Sequence, residues 1–225
     1  VQRDEVVNLP VSPRELVDPF PYILDSARGK RVLNVGASGG VEHYLPERRE
    51  AWLHHRLANV AAELVGIDID VESVAYASRH GVELQIEDCE TCRFTSPFDL
   101  IIMSDVIEHV NAPLRAIDNL AQQLAPGGRL LITTPNPTHY GLVVRAWLGR
   151  RTEVYYDHVN AFLPEHFQAI CMRLGLRLTD VAFFSHLDMR SASNRLKSRL
   201  ARLLGRLVPR CHGTFLVVLQ AGGAE

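Results

Sequence analysis

Short apolar runs bounded by turn-forming residues alternate along the chain with longer segments whose apolar residues recur every three to four positions. That is the pattern of βα units building a largely parallel sheet. Strands are predicted at Arg31–Val35, Leu64–Asp68, Val82–Glu87, Leu100–Met103 and Arg129–Thr134, then at Arg177–Phe184 and Thr214–Leu219, seven in all. Helical spacing predicts helices over Leu45–Ala62, Val71–Arg79, Pro113–Leu124 and Pro164–Leu174. Ala125-Pro126-Gly127-Gly128 reads as a helix stop and turn ahead of the fifth strand. Residues 138–160 have no clear periodicity, carry Tyr140, Trp147, Tyr155 and Tyr156, and are longer than the usual loop of a compact domain. They read either as a substrate lid or as a surface excursion with a short helix.

Composition adds limits. The 225 residues, 47% apolar and 22% charged, suffice for one α/β domain over 1–225, and a net charge of −2 gives no global attraction to nucleic acid. Apolar runs such as Leu100 to Met103 and Phe215 to Leu219 fall far short of the ~20 residues that span a bilayer. With no charged n-region ahead of an apolar stretch, the chain reads as cytoplasmic. Cys89, Cys92, Cys171 and Cys211 are too few for a disulfide scaffold. The Cys89-x-x-Cys92 pair lacks a second pair at zinc-ligand spacing, so no metal site is expected.

In an open parallel sheet, ligands sit beyond the carboxyl ends of the strands, and the informative residues follow strand ends here. After the first strand comes Asn34-Val35-Gly36-Ala37-Ser38-Gly39-Gly40, whose small residues permit a tight turn and close backbone approach to a ligand. Taken alone it is equally a structural turn or half of a dinucleotide site. The dinucleotide fingerprint needs Gly-x-Gly-x-x-Gly with an acid about 20 residues on. Here Ser38 and Val41 occupy the other glycine positions, and the acid, Asp68, lies 32 residues beyond Gly36, so a nicotinamide oxidoreductase is disfavoured. Asp68, in Gly66-Ile67-Asp68-Ile69-Asp70, is placed to accept from both hydroxyls of a ribose, with Asp70 as the next helix's N-cap. Asp88, in Glu87-Asp88-Cys89, either accepts from an adenine amino group or simply forms a turn.

These residues, with two further segments, resemble the class I S-adenosylmethionine-dependent methyltransferase family from about Lys30 to Phe184. Ser104-Asp105-Val106-Ile107-Glu108-His109 looks like the family's fourth motif in its D-x-x-E-H form, and Leu124 to Asn136 looks like its fifth-strand signature. The resemblance implies a three-layer, Rossmann-like sheet of seven mostly parallel strands with the last antiparallel. It also implies S-adenosyl-L-methionine lying across Gly36, Ala37, Ser38, Gly40, Asp68, Ile69, Asp88, Cys89, Ser104 and Asp105. Two positions depart from the family: Asn34 where an acid is usual and Ser38 where a glycine is usual. They keep a non-catalytic, methyltransferase-like binding or scaffolding domain as the alternative.

A sulfonium methyl donor is already activated, so alignment and exclusion of water carry most of the catalysis. A hydroxyl acceptor also calls for a base, and histidine suits neutral pH. His109, leaving the fourth strand, is the first candidate and His158, in Asp157-His158-Val159-Asn160, the second, with Asp157 expected to orient its ring. Either histidine could instead be structural. O-methylation of a sugar or glycan precursor or a small secondary metabolite is expected, the glycan option resting on the Thr134-Pro135-Asn136 and Asp157-His158 segments. Residues 190–210 carry seven positive charges and no acid, with Leu196, Leu200, Leu203, Leu204 and Leu207 at helical spacing. This basic amphipathic insertion either packs its leucines on the sheet or makes a peripheral membrane contact or holds an acidic acceptor. No recognisable nucleic-acid motif is present, and no feature assigns an oligomeric state.

Overall fold

The computed structural model describes residues 6–151, 154–185, 203 and 205–221. In chain order the elements are β1 (Arg14–Glu15), α1 (Pro19–Ala27), β2 (Arg31–Val35), α2 (Leu53–Ala58), β3 (Glu63–Asp68), α3 (Val71–Arg79), β4 (Gln85–Ile86), β5 (Phe98–Ser104), α4 (Pro113–Ala121), β6 (Leu124–Pro135), α5 (Tyr140–Trp147), α6 (Pro164–Leu174), β7 (Leu176–Phe184) and β8 (Thr214–Ala221). Among the described residues they form one sheet in the order β1-β7-β8-β6-β5-β2-β3-β4. β8 runs antiparallel to both β6 and β7, and the other pairings are parallel.

Alternation along the strands builds both faces. Leu33, Val35, Ile101, Met103, Leu130 and Ile132 face α4 and α6, packing with Ile117, Leu120 and Phe167. Val32, Leu100, Ile102 and Leu131 face α1 and α2, packing with Ile23, Ala27 and Leu57. Covering both faces explains why the central strands are near-continuous apolar runs. From β2 the chain steps outward through β3 and β4, then returns to place β5 on the other side of β2. The chain leaving β2 turns toward β3 and the chain leaving β5 toward β6, so this strand boundary is a topological switch point, the place where open α/β sheets bind ligands.

Several expectations are corrected. The described sheet has eight strands rather than seven, because Arg14–Glu15 pairs with Ala182 and Phe183 at one edge. Two residues are too short to show a period. Helix α1 also went unread, although its start is signalled by the Asp18 carboxylate accepting from Phe20 N at 3.0 Å, with Pro19 as the first helical residue. The predicted helix over Leu45–Ala62 is broken. Pro46 has no N–H to contribute, and 3₁₀ turns at Val41–His43 and Arg49–Ala51 precede the short α2. The strand expected over Val82–Glu87 reduces to Gln85–Ile86. Ala125 to Gly128 lies inside β6, where the pairing with β5 slips between Phe98/Leu124 and Leu100/Arg129. Gly127 there has φ +77°. In the excursion at 138–160, α5 forms and buries none of its residues.

Most of 190–210 lies outside the described residues. Of its leucines, Leu203 and Leu207 are exposed. Among the described residues, no helix is long and apolar enough to cross a membrane.

Candidate active site

The turn after β2 is held from three sides. Gly36 has φ +70° and Gly40 φ +65°, backbone states that glycine adopts without strain. A Cβ on Gly36 would lie 2.3 Å from Val106 Cγ2, in the segment leaving β5. Ala37 N donates to Ile67 O at 3.0 Å, Trp52 Nε1 donates to Ala37 O at 3.1 Å, and Ser38 N donates to Asp68 Oδ2 at 2.9 Å. Asp68 Oδ1 accepts from Asp70 N at 3.1 Å. The Asp68 carboxylate thus ties β3 to the glycine turn and retains lone pairs, since an ionised carboxylate accepts about four hydrogen bonds. These fixed turns and the open carboxylate fit a nucleoside with a ribose diol.

The remaining positions expected around the cofactor line the same carboxyl edge. Ile69, 68% exposed, and Ile86 offer apolar surface beside Asp68. Glu87 N donates to Asp68 O at 3.0 Å and brings the β4 exit alongside. Asp88 Oδ1 accepts from Glu90 N at 2.8 Å, so this acid does form a turn while remaining half-buried. Cys89 is buried, and burial pushes its thiol pKa up to about 12, leaving it neutral. At the end of β5, Ser104 Oγ lies 3.0 Å from Thr133 Oγ1, and Asp105 N donates to Thr133 O at 3.0 Å. Asp105 is exposed with φ +52°, a left-handed state that aspartate tolerates better than most residues.

Asn34 turns away from this edge. It is 3% exposed, faces α2, and its Nδ2 lies 3.2 Å from His54 Nδ1. Burial lowers His54 to about 4, so the neutral ring accepts from the amide. Asn34 therefore locks α2 onto the sheet. Ser38 is buried beneath the turn.

Glu108 and His109, which follow Val106, come together with His158 from the loop after α5. One ligand-capable atom of each of the three lies within 4.8 Å of the others. Thr134 Oγ1 donates to Glu108 Oε2 at 3.0 Å, while Oε1 is buried with no partner among the described residues. Burial raises the Glu108 pKa to about 7, reinforced by the nearby Asp105 and opposed by the hydrogen bonds it accepts. His109 Nδ1 lies 3.0 Å from Asp157 O and 3.3 Å from Asp157 Oδ2. The His109 and His158 rings meet edge-on with centroids 4.7 Å apart, and Tyr155 lies 5.1 Å from His158. Val159 N and Asn160 N both donate to Glu108 O at 3.0 Å, and Asn160 Nδ2 donates to Val110 O at 2.7 Å.

The two histidines expected at the acceptor side are thus together, but Asp157 bonds to His109 and not to His158. Glu108, Thr134 and Asn160 were missed. The Glu108–His109 adjacency was a usable signal, whereas the tethering of a loop some 50 residues away had none. Asn136 is engaged by neighbouring segments: its Nδ2 donates to Arg210 O and His212 O, and its Oδ1 accepts from Thr138.

Residues 11–181 match the model of a family described as a methyltransferase domain. The chain is 31% identical over 174 residues to a ubiquinone biosynthesis O-methyltransferase of Xylella fastidiosa, covering 70% of this chain and 65% of that protein. It thus spans about two thirds of that relative's length. A protein of the same description from Xanthomonas oryzae pv. oryzae is 29% identical over 210 residues, covering 84% and 82%. The fold is similar to that of magnesium protoporphyrin IX methyltransferase from Synechocystis with bound SAH, at TM-score 0.59 and 15% identity, covering 90% of this chain and 80% of that one.

Proposed function

The chain belongs to the methyltransferase domain family, and from that membership we propose that it transfers a methyl group from S-adenosylmethionine to a hydroxyl oxygen of a small-molecule acceptor. The observation that carries the reading is the Glu108–His109–His158 cluster, next in sequence to Val106, which packs on the glycine turn. The curated relatives named as O-methyltransferases support oxygen as the acceptor atom.

Gly36 to Gly40 would hold the methionine portion, Asp68 the ribose hydroxyls, and Ile69, Asp88, Cys89, Ser104 and Asp105 the adenine and the outer rim. Bound there, S-adenosylmethionine supplies a methyl carbon on a positively charged sulfur. The chain's own work is to align the acceptor oxygen with that carbon and to let the hydroxyl proton leave at the cluster, where His158's ring nitrogens have no hydrogen-bond partner among the described residues. Asp157 orients His109, and Thr134 orients Glu108.

The surface beside His158 bears on the acceptor. Tyr155 is 76% exposed, and Tyr156 and Val159 are exposed as well. Such a rim suits an aromatic or otherwise apolar alcohol better than a sugar. Asn136, in the segment that suggested a glycan, is used up in the backbone. The four cysteines are free, which suits work in the reducing cytoplasm. Incubation with S-adenosylmethionine and matched phenolic and sugar acceptors tests this reading. Product carrying the methyl on a phenolic oxygen is expected. Methylation of the sugar alone overturns the acceptor class, and no binding of S-adenosylhomocysteine overturns the enzyme reading.

A further inference from the structure

We propose that Glu108, His109 and His158 bind one divalent transition-metal cation at the acceptor side of the site. The grouping within 4.8 Å is the first observation. The second is that the other polar atoms of Glu108 and His109 are already engaged. Thr134 holds Glu108 Oε2, and among the described residues the buried Oε1 has no partner, a costly state that a cation would satisfy. Asp157, through its carbonyl and its carboxylate, holds His109 Nδ1, so the proton sits on Nδ1 and the lone pair on Nε2 has no partner among the described residues. A metal-binding histidine characteristically donates its second N–H to a carbonyl or carboxylate in this way.

His158 completes the set from the loop after α5. Atoms bound to one cation at ~2.0–2.2 Å lie ~3–4 Å apart, so closure asks for a shift of roughly 1 Å. Two imidazoles and one carboxylate suit manganese, iron, cobalt or zinc better than magnesium or calcium, which take oxygen ligands. Three protein ligands also leave coordination positions open to an incoming oxygen.

The inference rests on the methyl-transfer reading and specifies how the acceptor is activated. A hydroxyl bound at an open position gives up its proton to water more readily. The oxygen pair then forms the new C–O bond as the C–S bond breaks, and the bonding pair returns to sulfur and cancels its positive charge.

The test uses untagged, chelator-stripped full chain titrated with cobalt(II), read by visible absorption and by calorimetry, with parallel titration of S-adenosylhomocysteine. One cobalt per chain with visible d–d bands is expected. His158→Ala, in a surface loop, should weaken cobalt binding by roughly tenfold or more while S-adenosylhomocysteine affinity stays within about twofold. Glu108→Gln should do the same to cobalt. A chain that binds S-adenosylhomocysteine but no stoichiometric cobalt overturns the metal site alone, as does His158→Ala binding cobalt as tightly as wild type. A chain that binds neither overturns the functional reading with it.

Discussion

His54 is 6% exposed behind β2, and its burial lowers its pKa to about 4 from 6.5. In the unfolded chain the ring takes a proton below about pH 6.5, so between that value and about pH 4 the unfolded state binds more protons than the folded one. The neutral ring's contribution is complete above pH 6.5 and is lost as the pH falls toward 4, on the order of 3 kcal/mol. Urea midpoints should fall over this window, and His54→Gln should flatten that part of the fall. An unchanged slope in the variant would remove His54 from the explanation. Gly36 makes a second demand at this scale, since both its φ and its contact with Val106 exclude a side chain. Gly36→Ala is expected to cost about 1–3 kcal/mol. Val106→Ala in the same chain should recover only the steric part, measurable by thermal unfolding.

Asn160 and Val159 bridge two loops that meet across the site. Three hydrogen bonds from them to Glu108 O and Val110 O hold the loop carrying His158 against the β5 exit. Asn160→Ala removes the side-chain bond and leaves Val110 O short of a donor, with a cost of about 1–2 kcal/mol. Amide exchange at Val159 and Asn160 should quicken while exchange in β5 does not. Protection of both unchanged would contradict the tether.

The same element scale separates what periodicity shows from what it hides. β2, α3 and α6 were legible to the residue because their apolar spacing and their ends agree. β1 was hidden because its pairing depends on β7, about 170 residues later, and α2 because Pro46 and two 3₁₀ turns interrupt the period. The candidate cofactor residues could be named from the sequence because each follows a strand. Glu108's role was obscured because its meaning comes from Thr134 and from a loop reached only in three dimensions.

Across the molecule, the N-terminal segment is stitched to the far edge of the sheet. Arg14 donates to both Asp180 oxygens at 3.1 and 2.6 Å, Tyr22 OH donates at 2.9 Å, and β1 adds its pairing with β7. Arg14 holds the Asp180 carboxyl below its ordinary pKa against the opposing effect of burial. Asp180→Ala is expected to lower stability by about 1–2 kcal/mol, with S-adenosylhomocysteine binding unchanged because β7 lies four strands from β2. Loss of that binding in a folded variant would mean that this edge of the sheet and the glycine turn are coupled.

The carboxyl edge of β2 and β3 as the S-adenosyl site is tested most directly by calorimetric titration of the chain with S-adenosylhomocysteine, beside an Asp68→Ala variant confirmed as folded by circular dichroism. Saturable one-to-one binding in the wild type, weakened by roughly 1.5–3 kcal/mol when the carboxylate is removed, is the expected result. Equal affinity in the two proteins, or no binding by the wild type, would contradict it.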